Sequence, residues 1–147
     1  QYAPKVVFEA GRNIVEDTAI GLTQILRRKT VNQSNWLIVD IASNLLIPLD
    51  SANYRVIALK KSRFNLQHFN VGDFLCASFG EIQRNAILPS NVSEGDCLAI
   101  RNVGAYTLSM AETFGTFIPK SILIDGNKMK IVKPSTNLKY FLKGLVF

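Results

Sequence analysis

A mainly β fold, a β-sandwich or Greek-key barrel introduced by one strand-helix unit, is predicted by three observations. Short apolar or alternating runs recur along the chain, turn chemistry separates them, and only one segment, near the start, opens like a helix. At 147 residues, one core is the expected scale, since a chain of this size buries roughly 68–70% of its unfolded surface.

Val6-Val7-Phe8, bounded by Pro4 and Gly11, reads as a buried strand of the parallel kind. Residues 13 to about 23 read as a short helix, with Glu16 and Asp17 in the first turn, where the helix dipole favours acids. From about Ala19 the signals turn to strand. Trp36-Leu37-Ile38-Val39 is a strong candidate, and residues 54–59 alternate less cleanly. Residues 70–76 and 97–103 are further candidates. Residues 121–132 read as a hairpin about Asp125-Gly126, because glycine accepts the positive φ of a tight turn. Ser93-Glu94-Gly95-Asp96 is another turn.

The opening strand and helix form a β-α unit, and a lone parallel strand needs neighbours that the remaining segments do not supply. Residues 1–20 are therefore expected to belong to a larger α/β body, and residues 21–147 to form the β domain. Gln1 in place of an initiating methionine points the same way, toward a trimmed chain or a fragment.

Composition narrows the function classes. With 48% hydrophobic and 19% charged residues, the chain is an ordinary folded domain. Its most apolar stretch, residues 36–49, is interrupted by Asp40 and Asn44, so no membrane span is expected. The opening residues lack the apolar core of a secretory leader, and a cytoplasmic location is expected. The net charge of +6 comes from 17 scattered Lys and Arg. The densest groups, Arg27-Arg28-Lys29 and Lys60-Lys61-Ser62-Arg63, carry no interleaved aromatics, which argues against a nucleic-acid partner. Cys76, Cys97 and the single histidine, His68, have no metal-ligand spacing, so no metal site is expected.

Two segments carry chemistry. Glu9-Ala10-Gly11-Arg12 follows the apolar run and opens the helix. Gly11 permits close backbone approach and Arg12 supplies a planar fork for an anion. A strand-helix junction with a salt-bridged arginine is the plainer meaning of the same residues. Gly104-Ala105-Tyr106-Thr107 follows another candidate strand, and Tyr106 offers either a phenol donor or a core ring at a bend.

Taken in order, these segments resemble a family. FEAGRNIVEDTAIGLTQIL, NWLIVDIASNLLIPL, NVGDFLCAS and LPSNVSEGDCLAIRNVGAYTLSMAETFGTFIPKSILIDG resemble the C-terminal portion of pyridoxal-phosphate-dependent ornithine and diaminopimelate decarboxylases. That resemblance implies that residues 1–20 are the last unit of a (β/α)8 barrel. It implies that Glu9 pairs with the cofactor's pyridine nitrogen, and that Gly11, Arg12 and Tyr106 hold its phosphate. It also implies that Cys76 acts as a proton donor in a partner subunit's site, within a homodimer acting on a small amino-acid-like substrate. Three departures stand out. Ala77 replaces the usual acid beside the cysteine, Gly80 or Glu81 stands in the region of a second acid, and Leu45-Leu46-Ile47-Pro48 lacks an arginine. No lysine here matches the family's Schiff-base lysine, so this chain alone is expected to be inactive. A catalytically inactive homologue working through protein association is the competing expectation, motivated by Ala77.

Overall fold

Six strands wrap into one barrel-like sheet that holds the main core, and a separate hairpin lies beyond it. The computed structural model describes residues 3–47, 52–61, 65–143 and 145; Pro48, Ser62 and Arg63, noted above, lie outside them. The strands are β1 (Ile20–Val31), β2 (Ser34–Val39), β3 (Arg55–Ala58), β4 (Leu66–Asp73), β5 (Glu81–Pro89) and β6 (Cys97–Arg101). Their order across the sheet is β3-β6-β1-β2-β4-β5. All neighbours are antiparallel except β2 and β4, which run parallel.

β1 organises the sheet because it is long enough to pair twice. Residues 20–24 pair with β6 and residues 25–31 with β2, and a register shift between Ile25 and Arg27 marks the changeover. A two-residue turn, Asn32-Gln33, joins β1 to β2 with both φ positive, as the tightest hairpin turns require. Inward-facing Ile25, Leu37, Phe69, Leu88, Leu98 and Ile100 fill the interior with almost no exposure.

Arg28 closes one end of this core. Its guanidinium lies over the Phe69 ring at 5.1 Å and donates to the carbonyls of Ser90 and Val92. Its neighbour Arg27 pairs with Glu94 at the surface. Two members of the first basic run thus serve the fold. The two edge strands meet across the ring, where the Val56 N–H donates to Gln83 Oε1 at 2.7 Å.

β7 (Ser121–Asp125) and β8 (Lys128–Lys133) form the hairpin, with Gly126 at φ +55 in its turn. The Ile122–Ile131 and Ile124–Met129 pairs share one face, and all four side chains are exposed. The Ile118 N–H donates to Thr136 Oγ1 and the Thr136 N–H to the Ile118 carbonyl, which ties the hairpin's two feet together.

Three expectations need correction, and two elements were not foreseen. Residues 6–8 form no strand: Val6 and Val7 are 70% exposed and Phe8 90%, because parallel pairing requires neighbours absent among the described residues. The predicted helix over 13–23 shrinks to one turn, α1 (Arg12–Val15), and a 3-10 turn, Glu16–Thr18, since pairing with β6 captures the chain from Ile20. The strand predicted over 70–76 starts earlier, at Leu66, and ends at Asp73, leaving Cys76 in a loop. β5 and a short helix, α2 (Leu138–Leu142), were not predicted.

Two outcomes test this architecture. Phe69→Ala should lower the unfolding free energy by about 3–5 kcal/mol in urea titration, the usual cost of emptying a well-packed aromatic site. Asp96 supplies a pH dependence. Burial opposes its charge, but hydrogen bonds from Lys60 and Ser93 outweigh this and hold the carboxyl below its ordinary value. A depressed folded-state value contributes stability above the unfolded value, and that contribution disappears as pH falls through the folded one. The stability gap between the native chain and Asp96→Asn should therefore be full at pH 5 and should shrink below pH ~4, near the ordinary aspartate value.

Candidate functional site

The Gly-Arg and Tyr segments, nearly a hundred residues apart in sequence, come together at one edge of the barrel. The junction is built by backbone. The Gly104 N–H donates to the Glu16 carbonyl at 2.9 Å, and the Val103 N–H to the Ala19 carbonyl at 3.4 Å. A Cβ at position 104 would sit 1.9 Å from the Val15 carbonyl oxygen, so only glycine permits this approach. Just past the junction, Tyr106 has φ +66, the Thr107 N–H donates back to the Ala105 carbonyl at 2.8 Å, and the Met110 N–H to the Tyr106 carbonyl at 2.8 Å. The reversal throws the Tyr106 ring toward the start of α1.

There the Arg12 guanidinium carbon lies 5.2 Å from the Tyr106 ring centroid, a cation–π contact. A Cβ at Gly11 would come 3.0 Å from Tyr106 Oη, so the phenol lies directly against the Gly11 backbone. Arg12 Nη1 is buried and has no hydrogen-bond partner among the described residues. An arginine donor left in that state costs free energy unless an acceptor arrives, and a phosphate or carboxylate is the matching group. α1 is too short to add much of a dipole, and its N-cap makes no side-chain bond. Arg12, Tyr106 and the backbone at Gly11 are the groups at this corner whose chemistry suits an anion.

Other candidates are placed elsewhere. Glu9 is exposed on the extended lead-in, three residues before Arg12. Cys76 is an exposed free thiol in the loop between β4 and β5. Among the described residues, no group of three or more His, Cys, Asp or Glu could hold a metal, and no helix is long and apolar enough to cross a membrane. Sequence reasoning missed Asp73, the buried acid that ends β4, and Gly104 as the enabling position; NVGDFLC and NVGAYT each contained the signal as a polar or glycine residue at a strand's end.

The barrel of six strands has counterparts among solved structures and known proteins. The crystal structure of Helicobacter pylori diaminopimelate decarboxylase complexed with L-lysine is similar at TM-score 0.80 and 26% identity, over 91% of this chain and 33% of that one. The chain belongs to the pyridoxal-dependent decarboxylases, whose C-terminal sheet domain it matches over residues 14–104. It is 29% identical over 136 residues to the diaminopimelate decarboxylase of Staphylococcus aureus (strain COL), covering 89% of this chain and 32% of the relative. It is 31% identical over 134 residues to the enzyme of that name from Helicobacter pylori, covering 87% and 32%. The chain thus spans about a third of the length of these relatives.

Replacing Gly104 tests the junction. Gly104→Ala should force the strand end away from the Val15 carbonyl, separate Tyr106 from Arg12, and cost about 2–4 kcal/mol by thermal or urea unfolding. Nuclear magnetic resonance of the Arg12 side chain should lose its ring-current shift in the same variant.

Proposed function

We propose that this chain is the C-terminal part of a pyridoxal-phosphate-dependent decarboxylase acting on an amino acid or amino-acid-like substrate. The observation that carries the proposal is the buried, partnerless Arg12 Nη1 beside the Tyr106 ring, within a domain of this family. When bound, the cofactor supplies an electron-accepting ring that disperses the charge left behind as the carboxylate departs.

Each residue then has a role at a named atom. Arg12 donates its guanidinium N–H groups to the phosphate, Tyr106 donates its phenol, and Gly11 lets the backbone come close. The Glu9 carboxylate holds the proton on the ring nitrogen. The Cys76 thiol returns a proton to the product carbon in the partner subunit's site, which its exposed position on a loop allows. In the complete protein, residues 1–20 form the last unit of a catalytic barrel, and strands upstream of them cover Val6, Val7 and Phe8. The assembly is a cytoplasmic homodimer. Diaminopimelate, named for the relatives above, is the first substrate to assay, although Ala77 and the arginine-free segment 45–48 differ from what the resemblance leads one to expect. The relatives named above are decarboxylases and lend no support to an inactive homologue acting through association.

The full-length protein should show the absorbance of cofactor bound to a lysine and should release carbon dioxide from an amino acid. Arg12→Ala should weaken cofactor binding about 10- to 150-fold, the loss of one charge-assisted contact of 1.5–3 kcal/mol. Cys76→Ala should leave cofactor binding intact and lower kcat. A full-length protein that binds no cofactor refutes the proposal.

A further inference from the structure

A buried carboxylate and two backbone bonds hold the loop bearing Cys76. Asp73 Oδ2 accepts from the Ser43 N–H at 2.7 Å, and Oδ1 from the Leu75 N–H at 3.1 Å. The Asp73 N–H donates to the Gly80 carbonyl at 2.8 Å, and the Gly80 N–H to the Ala77 carbonyl at 3.3 Å. The loop from 73 to 80 is therefore closed at its base, and that base is stitched to the 3-10 turn Ser43–Leu45. The same turn reaches further, because the Asn44 side-chain amide donates to the carbonyls of Glu112 and Phe114. The carboxylate thus joins the 73–80 loop to the 43–45 turn, and Asn44 carries the connection on to residues 112–114.

Asp73 is buried and forms no ion pair among the described residues. Burying a charge is expensive, and an apolar side chain would fill the space at lower cost. The carboxylate instead gives direction: two N–H groups from different segments are fixed at its two oxygens. Gly80 completes the device. A Cβ there would stand 2.3 Å from Asp73 Oδ1, so the carboxylate occupies the room that any side chain at 80 would need. Aspartate at 73 and glycine at 80 act as one coupled pair, and the loop they close leaves Cys76 exposed.

We infer that Asp73, coupled to Gly80, is the positioning residue for Cys76, setting where the thiol is presented by locking the 73–80 loop to the 43–45 turn. The inference rests on the reading of Cys76 as a proton donor, but its test reads loop position directly. In the 147-residue chain with Cys97→Ser, Cys76 is tagged with a trifluoromethyl thiol label and followed by fluorine resonance. Amide exchange is followed in parallel. With Asp73 in place, one narrow resonance is expected. Asp73→Asn, which keeps shape but turns one acceptor into a donor, should broaden or split it. The same variant should speed exchange at the Ser43 and Leu75 amides at least tenfold and leave the β1–β6 ladder unchanged. Gly80→Ala should act alike, and Asp73→Ala with Gly80→Ala should be no worse than Asp73→Ala alone.

An unaltered resonance in Asp73→Asn, or additive effects of the two sites, overturns the inference. So does uniformly faster exchange across the barrel, which would make Asp73 a general stabiliser. Because no readout needs cofactor or turnover, failure here leaves the decarboxylase proposal standing, and failure of that proposal leaves this result intact.

Discussion

The approach of the Gly104 backbone to the carbonyls of Val15 and Glu16 governs how the rest of the molecule is used. β6 must end with its backbone against the turn that leads into β1, and a single methyl group would collide with a carbonyl oxygen. Every feature of the cationic corner is downstream of that contact. The chain can reverse at Tyr106 only after passing it, and the ring can meet Arg12 only because the reversal happens there. A sheet register fixed by apolar burial is in this way converted into a geometry for two side chains that contribute nothing to the core.

The molecule concentrates its irregularities where strands end. Asn102 and Tyr106 both take the left-handed conformation within five residues of the end of β6, each against the preference of a side chain with a Cβ. Their neighbours hold them there. The Asn102 amide donates to the Asn53 carbonyl at 2.7 Å, and Thr107 lies between its own loop and the Tyr54 hydroxyl. A buried carboxylate, by contrast, ends β4, and a bound arginine caps the interior beyond Phe69. Among the described residues three buried side-chain atoms have no hydrogen-bond partner, Ser43 Oγ and Asn44 Oδ1 in the 43–45 turn and Arg12 Nη1 at the corner, and of these only the arginine nitrogen belongs to a cationic group.

Much of the architecture was legible because it rests on local chemistry. Trp36-Leu37-Ile38-Val39 is apolar enough to be a strand in any context, and Asp125-Gly126 marks a turn through the φ that glycine allows. Segment 81–89 hid because its alternation breaks at Arg84-Asn85, where Asn85 takes φ +51 and the pairing with β4 slips. The helix over 13–23 was overdrawn because local signals cannot register a competing ladder, and the pairing of Ile20 with Arg101 is set by residues eighty positions away. At the site, Gly11, Arg12 and Tyr106 were identifiable as residue types suited to an anion, but their contact was not, since it depends on Gly104. Asp73 escaped notice because a lone acid at a strand's end has no signature until its acceptor geometry is seen. The apolar run at 6–8 shows the reverse case, a sequence suited to a strand that finds no partner among the described residues.

The barrel is closed across its open side by a glutamine amide and not by a ladder. Between β3 and β5 a side-chain oxygen of Gln83 takes the Val56 N–H, while the other five junctions carry several backbone bonds each. A ring with one slack joint can change its girth without tearing a strand from its neighbour. The seam between β3 and β5 is therefore where the cylinder has least backbone bonding to give up, and the wall opposite, where β1 pairs with both β6 and β2, is doubly laddered.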